Sequence, residues 1–362
     1  MKKILISSYS LDLGGIETAL ITLLKQIQDK YEITLVLEKK EGIFLTEVPK
    51  NIKIIEFKPS ANKIMLIRKA INFFKQLKFK IKYKNKFDYS ISYATYSYSS
   101  SFVARNASKN CYLWVHNDYM SFYKNDKNLY KAFFEKLKIR KYREIIFVSE
   151  HDKNIFINEF PKLKEKALFC NNLIEYNKIL NLSNEKITDF EKDNITTFIN
   201  LGRHEENQKK LSRIIRASKM LNNEGYKFRV VFIGKGPDSI KYKEQAKDIK
   251  NIIFLGPKKN PYPYLKQCDC LLMSSDYEGY PVVYLESMIL EKPIITTDVS
   301  DSKKDIEGIY GIITNKSTKG IYDAMKQFLE NGFKTEKFCP SEFNKNIIEK
   351  INKLFEERKS PW

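Results

Sequence analysis

The sequence has little of what would make a chain fibrous, disordered or disulfide-linked. Its 362 residues include only 13 glycines and 11 prolines, which is too few for a collagen-like or low-complexity protein. The five cysteines are odd in number, and Cys268-Asp269-Cys270 is too tight for the usual zinc spacing. We therefore expect neither a disulfide framework nor a zinc site, and we interpret most of the cysteines as small buried side chains.

Long hydrophobic runs are also absent. No apolar stretch approaches the ~20 residues that a membrane-spanning helix needs. The apolar run after Met1-Lys2-Lys3 has only about five residues, which is too short for a signal peptide and typical of a first β-strand. These features predict a cytoplasmic protein, and the length is comfortable for two domains.

Short apolar runs alternate with helical stretches along the whole chain. Runs such as Ile33–Leu37 and Cys111–Val115 predict strands in the first half, and a second series begins at Ile195–Leu201. This alternation is typical of parallel sheets with crossover helices. We therefore predict an α/β fold of two doubly wound, Rossmann-like domains that face each other across a cleft, with ligands at the carboxyl ends of the strands.

The polar, aperiodic stretch Asn181–Asp193 indicates where the two domains meet. We place an N-terminal domain at residues 1–175 and a C-terminal domain at residues 176–340. A last helix within residues 341–362 is expected to pack back on the first domain.

Positive charge is abundant and unevenly distributed. The net charge is +20, and Lys63–Lys86 contains nine basic residues, no acidic residue and many interleaved apolar ones. Basic amphipathic segments of this kind lie on anionic membrane surfaces, where each basic residue contributes about 1 kcal/mol. A surface helix that packs on its own domain is the plain alternative. Nucleic acid is a third reading, but no recognisable binding module supports it.

Two carboxylates bracket a predicted helix start in the second half. Glu278 precedes Gly279 and Pro281, and Glu286 follows inside the helix. Proline suits the first helical position, where its missing N–H is not needed. The other amides of the first turn, with the helix dipole, favour an anion between the two carboxylates. A nucleotide-sugar, which has hydroxyls at both ends and a diphosphate between, fits this pattern.

Further candidates follow predicted strands. The cations Arg203 and Lys209 would emerge at a sheet edge and could neutralise a diphosphate, although Lys210 is an immediate rival of Lys209. His116 ends a strand of the first domain and could bond to a sugar hydroxyl. Glycines that permit close approach of a ligand to the backbone are Gly14, Gly15, Gly202, Gly234 and Gly236.

In their order and spacing, these motifs resemble the retaining family-four glycosyltransferases with the GT-B fold. The similarity covers residue 1 to about 340, and Glu278–Glu286 followed by Lys292-Pro293-Ile294-Ile295 is its most specific part. Trp114–Asp118 and Gly279-Tyr280-Pro281 look like bacterial surface-polysaccharide transferases. The chain departs from the common pattern by one extra residue between Arg203 and the lysine, which leaves Lys209 and Lys210 both open.

The resemblance implies that the N-terminal domain binds the acceptor and the C-terminal domain binds the nucleotide-sugar, and it implies roles for individual positions. Glu286 would bind the donor ribose, Glu278 the transferred sugar, and Arg203 and Lys209 the leaving diphosphate, while His116 would orient the donor sugar. The remaining donor-binding positions that the resemblance implies are Gly14, Gly15, Gly202, Gly234, Pro257 beside the nucleobase, and the amides of Gly279, Tyr280, Pro281 and Val282.

The function that the resemblance implies is retaining hexosyl transfer from a nucleotide-sugar, most often a UDP-sugar. The acceptor would be a lipid-linked or surface glycan in bacterial polysaccharide or capsule biosynthesis, at the inner face of the plasma membrane. No metal or other cofactor and no nucleic acid are expected. The alternatives are a nucleotide-sugar epimerase or a phosphorylase of the same architecture, or a non-catalytic scaffold that binds anionic lipid or RNA.

Overall fold

A computed structural model describes residues 1–355 of the chain. These residues form two compact units, the first built from Met1–Leu173 and the segment from Asn344 onward, and the second from Ile174–Phe343. Each unit has a single parallel sheet with helices between the strands.

The first unit has seven strands and six helices before the chain leaves it. The strands are β1 Lys2–Ser8, β2 Tyr31–Leu37, β3 Lys53–Glu56, β4 Tyr89–Ser92, β5 Cys111–Val115, β6 Glu144–Phe147 and β7 Ala167–Phe169. The helices are α1 Gly15–Ile27, α2 Met65–Tyr83, α3 Tyr98–Ala107, α4 Tyr119–Phe122, α5 Lys127–Lys136 and α6 Glu150–Glu159.

The first sheet has the strand order β3-β2-β1-β4-β5-β6-β7, and every pairing is parallel. Strands such as β5, with all five residues buried, explain the continuous apolar runs in the sequence, because both faces of the sheet are covered by helices. The order reverses between β1 and β4, so the loops after these two strands flank a topological switch point.

The second unit repeats this organisation with six strands. Its elements are α7 Tyr176–Leu182, β8 Thr197–Leu201, α8 Leu211–Asn223, β9 Arg229–Ile233, α9 Ser239–Gln245, β10 Ile252–Gly256, α10 Tyr262–Gln267, β11 Cys270–Leu272, α11 Val282–Ile289, β12 Ile294–Thr297, α12 Ser302–Asp305, β13 Gly311–Thr314 and α13 Thr318–Asn331.

The second sheet has the order β10-β9-β8-β11-β12-β13, again parallel throughout. Its switch point lies between β8 and β11, whose following loops carry half of the predicted site residues. One side of the sheet is packed by α8 and α13, around the buried side chains of Ile214, Phe232 and Met325. The prediction of two Rossmann-like α/β domains is confirmed.

The last described helix, α14 Pro340–Leu354, carries the chain back to the first unit. There the hydroxyl of Tyr89 donates to the carbonyl of Phe355 at 2.6 Å, and that of Tyr112 to the carbonyl of Leu354 at 2.7 Å. Residues 356–362 of the predicted final segment lie outside the described residues.

Helix α2 covers most of the basic segment and is unusually exposed. Phe79 is its one buried residue and packs with Phe57 and Phe102. The described helices include none that is both long and apolar enough to cross a bilayer. Four of the five cysteines are buried, as predicted, while Cys339 is exposed.

Candidate functional site at the carboxyl edge of the second sheet

Glu278 is the centre of a buried hydrogen-bond network in the second unit. Its Oε1 accepts from Lys209 Nζ at 2.6 Å and from Ser275 Oγ at 2.7 Å, and its Oε2 accepts from Gln208 Nε2 at 3.3 Å. The side chain of Glu278 is 9% exposed and that of Lys209 is 16% exposed. Three donors hold this carboxyl group in one orientation.

Backbone contacts hold the loops after β8 and β11 together. The amide of Asp276 donates to the carbonyl of Gln208 at 2.8 Å, and Ser274 Oγ donates to the carbonyl of Lys209 at 2.8 Å. Arg213 of α8 adds a bond to the carbonyl of Ser274 at 3.0 Å. The positions of Lys209 and Glu278, 69 residues apart, are therefore set by main-chain contacts as well as by their own ion pair.

The two candidate lysines have different partners. Lys209 contacts Glu278, whereas Lys210 Nζ lies 3.5 Å from Asp276 Oδ2. Arg213 Nη1 lies 2.6 Å from Oδ1 of the same carboxylate. Lys210 has a φ of 53°, and this left-handed turn sends the two successive side chains in different directions. The structure thus brings Lys209, rather than Lys210, beside Glu278. The role of either lysine in phosphate binding stays a prediction.

Arg203 lies at the same edge and is the most accessible cation of the group. Its side chain is 60% exposed, and Nη2 lies 2.7 Å from Glu205 Oε2 and 3.1 Å from Gln208 Oε1. Gln208 therefore links Arg203 to Glu278. Sequence reasoning missed Gln208 and Ser275, and the only signal for them was their adjacency to Lys209 and to the end of a predicted strand.

The proline at the start of helix α11 lies one helical position earlier than predicted. Pro281 is its N-cap, with ψ of 118°, rather than its first helical residue, so the helix begins at Val282. Pro281 has no N–H, so of the predicted donors only Gly279, Tyr280 and Val282 have an amide to offer. The Tyr280 side chain is buried, so its ring serves packing here.

Glu286 lies in the second turn of α11. Tyr262 of α10 donates to its Oε1 at 3.3 Å. Burial raises the pKa of the Glu286 carboxyl to about 7, and the bond from Tyr262 opposes that shift. The residue is therefore poised to change its ionisation near neutral pH, and the sequence held no signal for this.

The glycines of the second unit have a structural reason of their own. Gly234 has a φ of 144°, and a Cβ there would lie 1.8 Å from the carbonyl oxygen of Gly202. A Cβ on Gly236 would lie 2.2 Å from the carbonyl oxygen of His204. Both glycines let the loops after β8 and β9 touch. Pro257, the predicted nucleobase neighbour, follows β10 and is exposed.

The predicted residues of the first unit lie at the carboxyl edge of its own sheet. Gly14 is the N-cap of α1, and Gly15 is its first residue. His116 follows β5, is 9% exposed, and has its ring 4.4 Å from that of Tyr93. Burial lowers the pKa of His116 to about 3, so its imidazole is neutral at pH 7. Within residues 1–355, neither ring nitrogen has a hydrogen-bond partner.

One group in the described part of the chain has the composition of a metal site. Ligand atoms of Asp118, His151 and Asp152 lie within 4.8 Å of one another in the first unit. Asp118 already caps α4 by accepting from the amide of Ser121 at 2.9 Å. None of the three is a predicted site residue, and the expectation that no metal is required stays a prediction.

Comparisons with known proteins agree with this architecture. Residues 195–331, which include most of the candidate site, match the family Glycosyl transferases group 1. An uncharacterised glycosyltransferase of Methanocaldococcus jannaschii is 31% identical over 208 residues, 54% of this chain and 49% of its own length. The chain thus spans about half of that relative.

A second relative matches over almost its whole length. It is the N-acetylgalactosamine-N,N'-diacetylbacillosaminyl-diphospho-undecaprenol 4-alpha-N-acetylgalactosaminyltransferase of Campylobacter jejuni. It is 24% identical over 344 residues, which cover 91% of each chain.

Among solved structures, Anabaena HepE in complex with UDP and glucose superposes with a TM-score of 0.74, covering 97% of this chain and 100% of HepE at 18% identity. A variant of S. aureus TarM, in complex with Fondaparinux, alpha-GlcNAc-glycerol and UDP, gives 0.75 over 99% and 100% at 14% identity. Identities this low establish the fold alone. The chain therefore has the GT-B fold, and residues 195–331 of its second unit match the group 1 glycosyltransferases.

Proposed function

We propose that this protein is a retaining glycosyltransferase that transfers a sugar from a nucleotide-sugar, a UDP-sugar in the first instance, to a lipid-linked or surface glycan. The observation that carries the proposal is the network in which Lys209, Ser275 and Gln208 all donate to Glu278, with Arg203 joined through Gln208. It lies at the switch point of a doubly wound sheet, where such folds bind nucleotides.

The chemistry follows from where charge develops. Breaking the bond between the anomeric carbon and the phosphate oxygen leaves negative charge on the departing diphosphate, which Arg203, Lys209 and the amides that begin α11 can stabilise. When Lys209 turns to the phosphate, Glu278 keeps Ser275 and Gln208 as donors and stays in place for the sugar. The acceptor oxygen bonds to the anomeric carbon on the face from which the diphosphate departs, and the leaving phosphate oxygen takes the proton of the acceptor hydroxyl, so the anomeric configuration is retained.

The acceptor class rests on relatives. The Campylobacter protein is named for transfer to a glycan on diphospho-undecaprenol, and a poly(ribitol-phosphate) alpha-N-acetylglucosaminyltransferase of Staphylococcus aureus is 25% identical over 151 residues. The first name describes sugar transfer to a lipid-linked glycan, and the second describes sugar transfer to poly(ribitol-phosphate). We extend that class to this chain.

Substitution of the two lysines tests the site. We expect Lys209→Ala to lower kcat by at least about a hundredfold, because it removes a cation that stabilises the departing diphosphate. Lys210→Ala is the matched control and should retain most of the activity, since Lys210 pairs with Asp276. Release of UDP from a panel of UDP-sugars is the measurement, with circular dichroism to check folding. Normal turnover in Lys209→Ala refutes the site, and cleavage that requires inorganic phosphate makes the protein a phosphorylase.

We further propose that α2 holds the protein at the inner face of an anionic membrane. At 3.6 residues per turn, five exposed apolar side chains of α2 fall within an arc of about 100°. They are Leu66, Phe73, Phe74, Leu77 and Ile81, which are 43–75% exposed. The buried Phe79 lies on the opposite side, so the apolar arc faces away from the unit.

Basic residues border this arc on both sides. Lys69 and Lys80 follow one border on the same helical projection, and Lys78 and Lys82 follow the other. A helix with an apolar centre and lysine borders suits the interface of an anionic bilayer, where the rings enter the acyl boundary and the ammonium groups stay among the headgroups. A helix that only covered its own domain would bury this arc.

Vesicle sedimentation tests the membrane proposal. We expect binding to vesicles of phosphatidylglycerol but not of phosphatidylcholine, and weaker binding as salt is raised. Leu77→Ser should weaken binding, whereas Leu180→Ser, on α7 of the second unit with a similar exposed fraction, should not. Equal binding to both lipids rules out the electrostatic attraction, and equal binding of both variants rules out insertion of α2.

A further inference from the structure

A buried histidine of the second unit, His204, has no part in the proposed reaction as described so far. It follows β8 directly after Arg203 and is 2% exposed. Its ring lies among those of Phe232, Tyr242 and Phe254, with centroids 6.0–6.4 Å away. A side chain so enclosed does not touch a bound nucleotide, so any effect on binding must pass through its neighbours.

Both backbone groups of His204 are bonded to the loop after β9. Its amide donates to the carbonyl of Lys235 at 3.1 Å, and its carbonyl accepts from the amide of Asp238 at 3.1 Å. Two residues later, the amide of Glu206 donates to Asp238 Oδ2 at 2.8 Å. The loops after β8 and β9 are therefore joined at three points within a few residues of Arg203.

The imidazole adds a fourth contact. His204 Nδ1 and Ser239 Oγ are 3.0 Å apart, in a hydrogen bond whose donor depends on the imidazole tautomer. The same hydroxyl accepts from the amide of Gly236 at 2.9 Å. Ser239 is the first residue of α9, so the ring ties the turn between β9 and α9 to the residue that follows Arg203. We call these four contacts the His204 clamp.

Packing alone does not account for a histidine at this place. In the described residues, Nε2 of His204 makes no hydrogen bond, and a buried nitrogen without a partner is unfavourable. A leucine would fill a similar space among the aromatic rings without that penalty. Burial and then the charge of Lys243 lower the pKa of His204, so the ring is neutral at pH 7 and does not attract a phosphate by charge. The hydrogen bond between Nδ1 and Ser239 is the feature that only a polar side chain can provide here.

The residue next to the His204 clamp is the most accessible cation of the candidate site. The Arg203 side chain is 60% exposed, and its partners Glu205 and Gln208 lie on the same loop after β8. A guanidinium whose backbone is free must be ordered when it binds an anion, and that ordering lowers the affinity. Contacts that fix the adjacent residue remove part of this cost.

We propose that His204 is a positioning residue, which through Ser239 and the turn after β9 holds Arg203 where it meets the diphosphate of the donor. His204 acts on the donor site through Arg203 and does not contact the nucleotide. This inference rests on the proposed function, because it assigns a further residue to the same donor site.

Isothermal titration calorimetry of the full chain with UDP tests the His204 clamp. We expect His204→Leu, which keeps the volume and loses the bond to Ser239, to weaken UDP binding roughly tenfold. His204→Asn, whose side-chain amide can take the place of Nδ1, should recover most of the affinity, and Ser239→Ala should lose it as His204→Leu does. If His204→Leu keeps the affinity and His204→Asn loses it, the ring serves packing and the inference is wrong.

A double-mutant cycle shows whether His204 acts through Arg203. Arg203→Ala alone should weaken UDP binding, and adding His204→Leu to it should weaken binding by less than about twofold more. If the two effects instead multiply in full, His204 acts independently of Arg203, and the inference is overturned.

A core variant separates positioning from stability. Ile214→Val trims a buried side chain of the second unit and should lower its melting temperature without changing UDP affinity. If it weakens UDP binding as much as His204→Leu does, loss of stability explains both, and the inference fails. If UDP binds and His204→Leu matches the parent, the inference is wrong while the proposed function stands. If UDP produces no saturable heat with the parent, the proposed function fails and the inference fails with it.

Discussion

At the scale of single residues, Glu286 gives the clearest link between physical chemistry and the proposed binding of a nucleotide. A ribose hydroxyl donates more strongly to a carboxylate than to a carboxylic acid. Because burial raises the pKa of Glu286 to about 7, the acceptor form is populated only as the pH rises through neutrality. We expect UDP affinity to increase about tenfold from pH 6 to pH 8. Calorimetry at each pH measures this affinity. UDP's own titration also contributes to the pH dependence, and Glu286→Gln should remove the remainder.

The raised pKa of Glu286 affects the stability of the fold in the opposite direction: stability falls as pH rises, whereas UDP affinity increases. The folded pKa of about 7 lies above the ordinary value of 4.5, so the contribution to stability is present below pH 4.5 and is lost as pH rises to 7. Above that, the ionised carboxylate costs up to about 3 kcal/mol. Glu286→Gln should therefore melt roughly 5 °C higher than the parent at pH 8 and at the same temperature at pH 4.5. A difference independent of pH would contradict the shift.

Only part of the candidate site could be predicted from the amino-acid sequence. Two carboxylates around a Gly-Tyr-Pro turn were readable, because helix-start chemistry is local. The donors to Glu278 were not, because Gln208 reaches it across 70 positions and only the pairing of β8 with β11 brings their loops together. The pKa of Glu286 was equally hidden, since it depends on burial by distant residues.

At the scale of elements, α2 has one side that packs on the first unit and an opposite side that is exposed. Phe79 is 5% exposed and packs in the cluster of Leu5, Val36 and Val103, whereas Phe74 is 65% exposed on the outward side. We expect Phe79→Ala to destabilise the first unit by about 3–5 kcal/mol and Phe74→Ala to change its stability by less than about 0.5 kcal/mol. Chemical denaturation followed by circular dichroism gives both values. Equal losses would mean that the outward side of α2 is also packed.

Helix and strand positions were predictable to within a few residues, and the exceptions have local causes. The sequence pattern predicts one helix over Asn128–Lys141, but α5 ends at Lys136 and Lys138 takes a left-handed φ of 59° before a single 3₁₀ turn. In α11 the proline is the cap rather than the first helical residue, a difference of one ψ angle. The hydrophobic periodicity of the sequence does not determine where α5 ends or where α11 begins, because it is the same for either boundary.

At the scale of the whole molecule, strand–helix alternation was sufficient to predict two doubly wound sheets. Buried parallel strands need apolar runs and crossover helices, and that requirement is written along the sequence. The strand order within each sheet, unlike the strand–helix alternation, could not be predicted from the sequence. It depends on which edge each crossover chooses, and the pairing of β1 with β4, or of β8 with β11, joins segments that have no distinguishing local pattern.

The return of α14 to the first unit gives a prediction for the complete chain. Ile347, Ile351 and Leu354 are its buried residues, and Tyr89 and Tyr112 donate to carbonyls at its end. A chain that stops before Pro340 leaves both buried hydroxyls without these acceptors and exposes the apolar surface under the helix. Each lost partner costs about 1–3 kcal/mol, and the exposed apolar area adds to it.

We therefore expect truncation to lower the melting temperature of the first unit by several degrees while UDP still stabilises the second. Ligand at a hundred times its dissociation constant adds about 2.7 kcal/mol to the unit that binds it. Scanning calorimetry of the full and truncated chains, each with and without UDP, resolves the two effects. Tyr89→Phe with Tyr112→Phe in the full chain is the matched control, because it removes the hydroxyls but keeps the helix. If truncation instead abolishes the rise in melting temperature that UDP causes, α14 supports the nucleotide site, and its effect is not confined to the first unit.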